Sequence, residues 1–280
     1  MTATTEASWL SEIQSQPAVL RDTLAEFEKS DAFKSAAHQL RHHKFKFIFT
    51  VSKADHPALP VLTASLSPMQ GMGSSYFNSL PSVQFLLRNG VHAEARETSE
   101  WLALYSAAET PSNAGWAKRA GEAKVDLQEK VIVVAVSQSG ESGELCELLK
   151  LWQSEAAAAG EKGPLPLLWA ITNTPQSTLA KAATHVFLTK AGVELTVSHR
   201  RYLEQLLLTV VHIQVACKTY VGTVLVQHLV SRLTASVVGN LSEAVVTDAL
   251  KAQVADAAKL VRHAIVVLFS PRANCRWRSS

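Results

Sequence analysis

The stretch Val131 to Glu144, VIVVAVSQSGESGE, decides the fold class. Its first six residues are uninterruptedly apolar and mostly β-branched, the pattern of a strand buried on both faces of a parallel sheet. The strand ends in Ser137-Gln138-Ser139-Gly140, where the glycine lets the backbone curl, and Glu141 to Gly160 reads as a helix. Backbone N–H groups at such a helix start point outward with the positive end of the helix dipole behind them. Ser137, Ser139 and Ser142 add hydroxyls and Gln138 adds an amide. The result is an anion cradle without lysine, suited to a sugar phosphate rather than a nucleoside triphosphate. No Walker motif is present, and no GxGxxG follows a strand. Taken alone, the same turn reads equally well as a capped loop with no ligand.

Strand and helix alternate on both sides of this segment. Pro17–Lys29 reads as a helix starting at its proline, Asp31–His42 as a second, and Phe45–Thr50 (FKFIFT) as a strand. A helix runs from Ser75 to about Arg88, followed by a short strand at Val91–Ala95 and a helix opening at Ser99. After the central stretch come a strand at Leu165–Thr172, a helix at Ser177–Thr184, a strand at His185–Thr189 and a long helix near Arg201–Tyr220. This order predicts an α/β fold, a doubly wound parallel sheet flanked by helices. Leu225–Arg262 reads as nearly continuous helix and suits a connector, and Ala264–Phe269 (AIVVLF) as the start of a further buried strand.

Composition excludes several classes. Hydrophobic residues make up 47% and charged residues 18%, as in a globular chain, and the net charge of +3 is too small and scattered for a nucleic-acid surface. Cys146, Cys217 and Cys275 share no ligand-like spacing, so thiols in a reducing compartment are expected. Met1–Trp9 has no apolar core of a signal peptide. Leu203–Cys217, the most apolar stretch, is interrupted by Glu204, Gln205, His212 and Gln214 and falls short of a membrane span. A soluble, cytoplasmic protein with no membrane or nucleic-acid partner is expected. Adjacent His42 and His43 lack metal spacing, and Glu94 and Glu97 are not fixed relative to each other by sequence, so neither pair makes a metal or acid/base site.

The SQSGES turn followed by an acidic helix resembles the signature of the sugar isomerase (SIS) family, as found in glucosamine-6-phosphate synthase isomerase domains. Gly71–Phe77, GMGSSYF, is similar to the family's first phosphate loop. Ile171–Val197, ITNTPQSTLAKAATHVFLTKAGVELTV, resembles the family's third conserved stretch. The three segments are collinear and the match covers about residues 36 to 220. The resemblance implies phosphate contacts from Ser75, Ser137, Gln138, Ser139 and Ser142, and a sugar site lined by Val197, Glu194 and Ser198. It implies no cofactor and no metal, a homodimer, and a ligand of the fructose-6-phosphate or glucosamine-6-phosphate class. The family continues VASTK where this chain has Val197-Ser198-His199-Arg200-Arg201, so the hydroxyl-bearing pair gives way to His199 and Arg200.

The resemblance divides the chain into an N-terminal helical segment (1–35), a phosphosugar-binding domain (36–220), a helical connector (221–262) and the start of a second lobe (263–280). In two-lobed relatives the isomerising Glu, His and Lys come from the second lobe and tail. The expectation is therefore ligand binding with little or no turnover: the first half of an isomerase, aminotransferase-type or deglycase enzyme. A non-catalytic sugar-phosphate sensor and an inactive fragment of a split gene are the alternatives. Residues 51–70 stand out as an insert. Joining Thr50 to Gly71 gives KFIFTGMGSSYF, which restores the family pattern, and the segment reads either as translated intron or as a proline-containing loop.

Overall fold

A computed structural model of the chain describes residues 3–41, 45–51, 74–102, 131–159, 167–193, 218–256 and 259. Helices α1 (Ala3–Lys29) and α2 (Asp31–Arg41) precede β1 (Lys46–Val51), α3 (Ser74–Arg88) and β2 (Ala93–Glu97). Then follow β3 (Val131–Val136), α4 (Gly143–Ala159), β4 (Leu167–Thr172), α5 (Thr178–Ala182), β5 (His185–Leu188) and α6 (Lys218–Val238). A helical turn over 98–102 and a helix over 248–256 complete the described elements.

The five strands form one sheet in the order β2-β1-β3-β4-β5, and every neighbouring pair is parallel. The doubly wound α/β fold expected from the alternation is therefore the observed one. The strand period of two sends alternate side chains of β3 to opposite faces. Ile132, Val134 and Val136 join Phe47, Phe49, Trp169, Ile171 and Phe187 under α1, α2, α3 and α6. Val131, Val133 and Ala135 join Leu168 and Ala170 under Leu145, Leu148 and Trp152 of α4, Leu179 of α5 and Trp101. Trp169 is fully buried, stacks edge-on against Phe47 and Phe187, and donates its indole N–H to Gln39 Oε1 at 3.1 Å. That bond satisfies the polar end of an otherwise apolar ring.

Three expectations need correction. The first helix begins at Ala3, not at Pro17, so the proline lies mid-helix, where it cannot donate to the Ile13 carbonyl. The helical region after residue 225 is broken: α6 ends at Val238, and Gly239 comes so close to Asn89 that an added Cβ would lie 2.6 Å from its carbonyl oxygen. The helix resumes only at residue 248. Most consequentially, α6 is no solvated connector. It packs on α1, α2, α3 and β4 with Leu225, Val226, Leu229, Val230 and Leu233 buried, so the domain core extends past residue 220. This helix is long and apolar enough to cross a membrane, but two thirds of its span is buried inside the molecule, as suits a core helix. The expected strand at 264–269, most of the helix at 201–220 and most of the 51–70 segment lie outside the described residues.

Candidate functional site

Chain order and spatial order of the strands diverge at β1 and β3. The chain leaves β1 toward β2 on one side and returns to β3 on the other, which makes the gap beyond the carboxyl ends of β1 and β3 the topological switch point. In register, Val51 lies beside Val136, so the turn at Ser137 starts where β1 ends. The site's elements gather along this edge.

The turn between β3 and α4 is built by its own side chains. Ser137 is buried, and its Oγ accepts from the Gly140 N–H at 3.1 Å and lies 3.0 Å from Ser142 Oγ. Ser139 Oγ accepts from the Glu141 N–H at 3.2 Å. Ser142 precedes α4 and its carbonyl accepts from Cys146 N–H at 2.9 Å, the first turn of that helix. Gly140 has φ +65, in the left-handed region, and a Cβ there would meet Ser177 Oγ at 2.2 Å. Only glycine satisfies both demands.

Neighbouring loops clamp this turn. The Gln138 carbonyl accepts from Asn173 N–H at 3.0 Å and from Thr172 Oγ1 at 3.1 Å. The Gly140 carbonyl accepts from Leu179 N–H at 3.1 Å, and Gln138 Nε2 donates to Thr219 Oγ1 on α6 at 3.3 Å. Asn173 reaches onward to the loop after β5. Its Oδ1 accepts from Thr189 Oγ1 at 3.1 Å and Ala191 N–H at 2.9 Å, and its Nδ2 donates to the Gly192 carbonyl at 2.6 Å.

Glu141 is an acid in a turn expected to hold an anion, which needs a reason. Its two carboxylate oxygens accept from the backbone N–H of Thr178 at 2.6 Å and from the Thr178 hydroxyl at 2.7 Å, at the start of α5. The Thr178 side chain, then its backbone N–H, hold the carboxyl below the usual glutamate range. The charge is thereby committed to α5. The helices that follow strands in a parallel sheet start at the same edge, and here α3, α4 and α6 all do. Their dipoles supply the positive potential that no lysine or arginine of residues 137–142 provides.

The structure thus brings Ser137, Gln138, Ser139 and Ser142 together in one turn. Ser75 lies in the first turn of α3, which follows β1, at the same sheet edge. Glu194, Val197 and Ser198 lie outside the described residues, as do His42, His43, His199 and Arg200. Glu94 pairs with Lys46 at 3.6 Å and Arg96 at 3.0 Å, whereas Glu97 accepts from Ser99 at 3.2 Å. Two residues of this edge escaped the sequence reading. Asn173 was visible only as the third letter of ITN, and Thr219 lay near the end of a segment read as an ordinary helix.

No protein-family profile matches the sequence, and no curated protein matches it significantly. Solved structures do share the fold. A protein assigned as a phosphosugar isomerase from Silicibacter pomeroyi DSS-3 aligns with 93% of this chain and 57% of its own at TM-score 0.51 and 18% identity. Another so assigned from Clostridium difficile 630 gives TM-score 0.52 at 13% identity, over 92% of this chain and 53% of its own. The tagatose-6-phosphate ketose/aldose isomerase of Escherichia coli gives 0.51 at 14% identity, over 96% and 55%. The chain spans little more than half the length of these three proteins. The likeness is one of fold, and the fold is that of a SIS domain.

Proposed function

We propose that this chain binds a phosphorylated sugar, of the amino- or keto-hexose-6-phosphate class, in the crevice beyond β1 and β3. The observation that carries the reading is the turn at residues 137–142. It sits at the switch point, starts a helix, and has its one carboxylate tied to Thr178 instead of facing an incoming anion. In this assignment exposed Ser139, half-buried Gln138 and Ser142, and Ser75 from α3 meet the phosphate. Ser137 contributes chiefly by holding the turn, because its hydroxyl already serves Gly140 and Ser142. The sugar itself extends toward the loop after β5, which Asn173 anchors.

Isomerisation moves a proton between two carbons and needs a base and a ring-opening acid beside the sugar. The turn at residues 137–142 offers neither: its carboxylate is engaged, and its other polar side chains are hydroxyls and one amide. Binding without rapid turnover is the proposed activity of the 280-residue chain, in a cytoplasmic setting. The test is a thermal-shift titration with fructose-6-phosphate and glucosamine-6-phosphate, followed by an isomerisation assay. Stabilisation by either ester, with loss of at least about tenfold in affinity in Ser137→Ala/Ser139→Ala, is the expected result. Unchanged affinity in that double variant would overturn the site, and rapid conversion of fructose-6-phosphate would overturn the binding-only reading.

A further inference from the structure

Two connections at the carboxyl edge of the sheet are far longer than the fold needs. The β3–α4 and β4–α5 connections take six and five residues, within the usual range for such units. Between β1 and α3 lie 22 residues (52–73), and between β5 and α6 lie 29 (189–217).

The structure closes across the second of these. Lys218 Nζ donates to the carbonyl of Val193 at 2.5 Å, so the chain returns to the place it left. One helical turn later, Gly222 packs so tightly on the end of β5 that an added Cβ would lie 2.9 Å from the Thr189 carbonyl. Thr219 meanwhile bonds Gln138. The α6 start is thus seated against the β5 loop and the β3 turn, and the 24 residues from 194 to 217 bridge a gap that a few would span.

The two long connections also share a sequence pattern. Residues 51–70 read VSKADHPALPVLTASLSPMQ, and residues 197–214 read VSHRRYLEQLLLTVVHIQ. Each opens with Val-Ser, carries Leu-Thr a few residues before its end, and closes on Gln. Val-Ser can be encoded GTAAGC or GTGAGC, Leu-Thr as CTGAC followed by any base, and Gln as CAG. With those codons each segment would carry the forms of an intron's donor, branch point and acceptor, in that order. Residues 51–70 carry Pro57, Pro60 and Pro68 and keep no regular period, whereas the helical pattern read at 201–220 straddles the end of the second segment.

We infer that residues 197–214, like 51–70, are translated intron, and that the working chain runs from Thr196 directly to Val215. The β5–α6 connection then shortens from 29 residues to 11. Val197 and Ser198, expected to line the sugar, belong to the interruption. Lys218 and Thr219, already docked on Val193 and Gln138, follow the β5 loop in their place. Thr219 is a positioning residue for the Gln138 amide in this arrangement.

The deciding measurement is the mature message of the source organism, sequenced across both positions. Transcripts lacking the codons for 197–214 are expected; their retention in every transcript would overturn the inference. A second, ligand-free measurement compares the 280-residue chain with a variant lacking 197–214 and with one lacking 206–223, which removes the start of α6. Loop-closure entropy predicts that the first deletion raises the folding constant about fourfold, seen as a higher melting temperature, while the second prevents cooperative melting. A 197–214 deletion that melts lower than the full chain, or not at all, would count against the inference. Neither measurement involves a sugar, so the outcome stands apart from the binding proposal.

Discussion

Gly140 is where the turn between β3 and α4 is least replaceable. Its φ of +65 costs an L-residue strain, and the space a Cβ would take is held by Ser177, whose Oγ caps α5 through Ala180 N–H at 3.2 Å. Gly140→Ala is expected to lose about 2 kcal/mol or more in chemical denaturation, through strain and the displaced cap together. The Ser and Gly letters of this turn were legible in sequence because strand, glycine and helix follow each other without a break. Asn173 and Thr219 were not, because their side-chain partners lie 16 to 19 and 81 residues away and only the folded sheet brings them together.

Among the elements, β5 carries a buried titratable ring. His185 lies against Trp169 at 5.6 Å and Phe187 at 6.5 Å, its Nε2 has no partner among the described residues, and burial lowers its pKa from the usual 6.5. A base whose folded pKa is depressed stabilises the fold above its unfolded pKa and loses that stability as pH falls below 6.5. His228, beside Phe85 and lowered by burial and then by Arg232, acts in the same direction. His185→Phe should flatten the decline as pH falls below 6.5, as read by urea unfolding over a pH series. The element that sequence misjudged is α6. Its buried face includes Thr219, Thr223, Gln227, Ser231 and Thr234 at helical spacing, so a core helix carries polar letters where a connector would carry a solvated face. Gln227 donates to Ser79 at 3.2 Å, but its Oε1 is buried without a partner among the described residues. Gln227→Met is expected to be neutral or to stabilise by about 1 kcal/mol in thermal denaturation, since it removes an unsatisfied oxygen at similar volume.

For the whole molecule, the strand pattern told the fold, whereas the helices that cover it were judged by their ends. VIVVAV announced a sheet covered on both faces, and both covers are present. What sequence concealed is that the last described long helix is laid over the first: α6 packs along α1, whose Val19, Leu24 and Phe27 are buried and whose Thr23 hydroxyl donates to the Thr189 carbonyl. The N-terminal helix is therefore part of the domain's core. A chain lacking residues 1–29 is expected to lose cooperative thermal melting, because it strips one side of α6 and removes Phe27 from Phe33, which stacks in turn on Phe187. Circular dichroism through the melt checks this directly.

The side chain of Asn173 ties the exits of β4 and β5 to each other, and its backbone ties both to the exit of β3. Three separate turns become one mechanical piece. Deuterium uptake should show it: the amide protons of Asn173, Leu179 and Ala191 would exchange as a single slow class, opening together rather than one loop at a time.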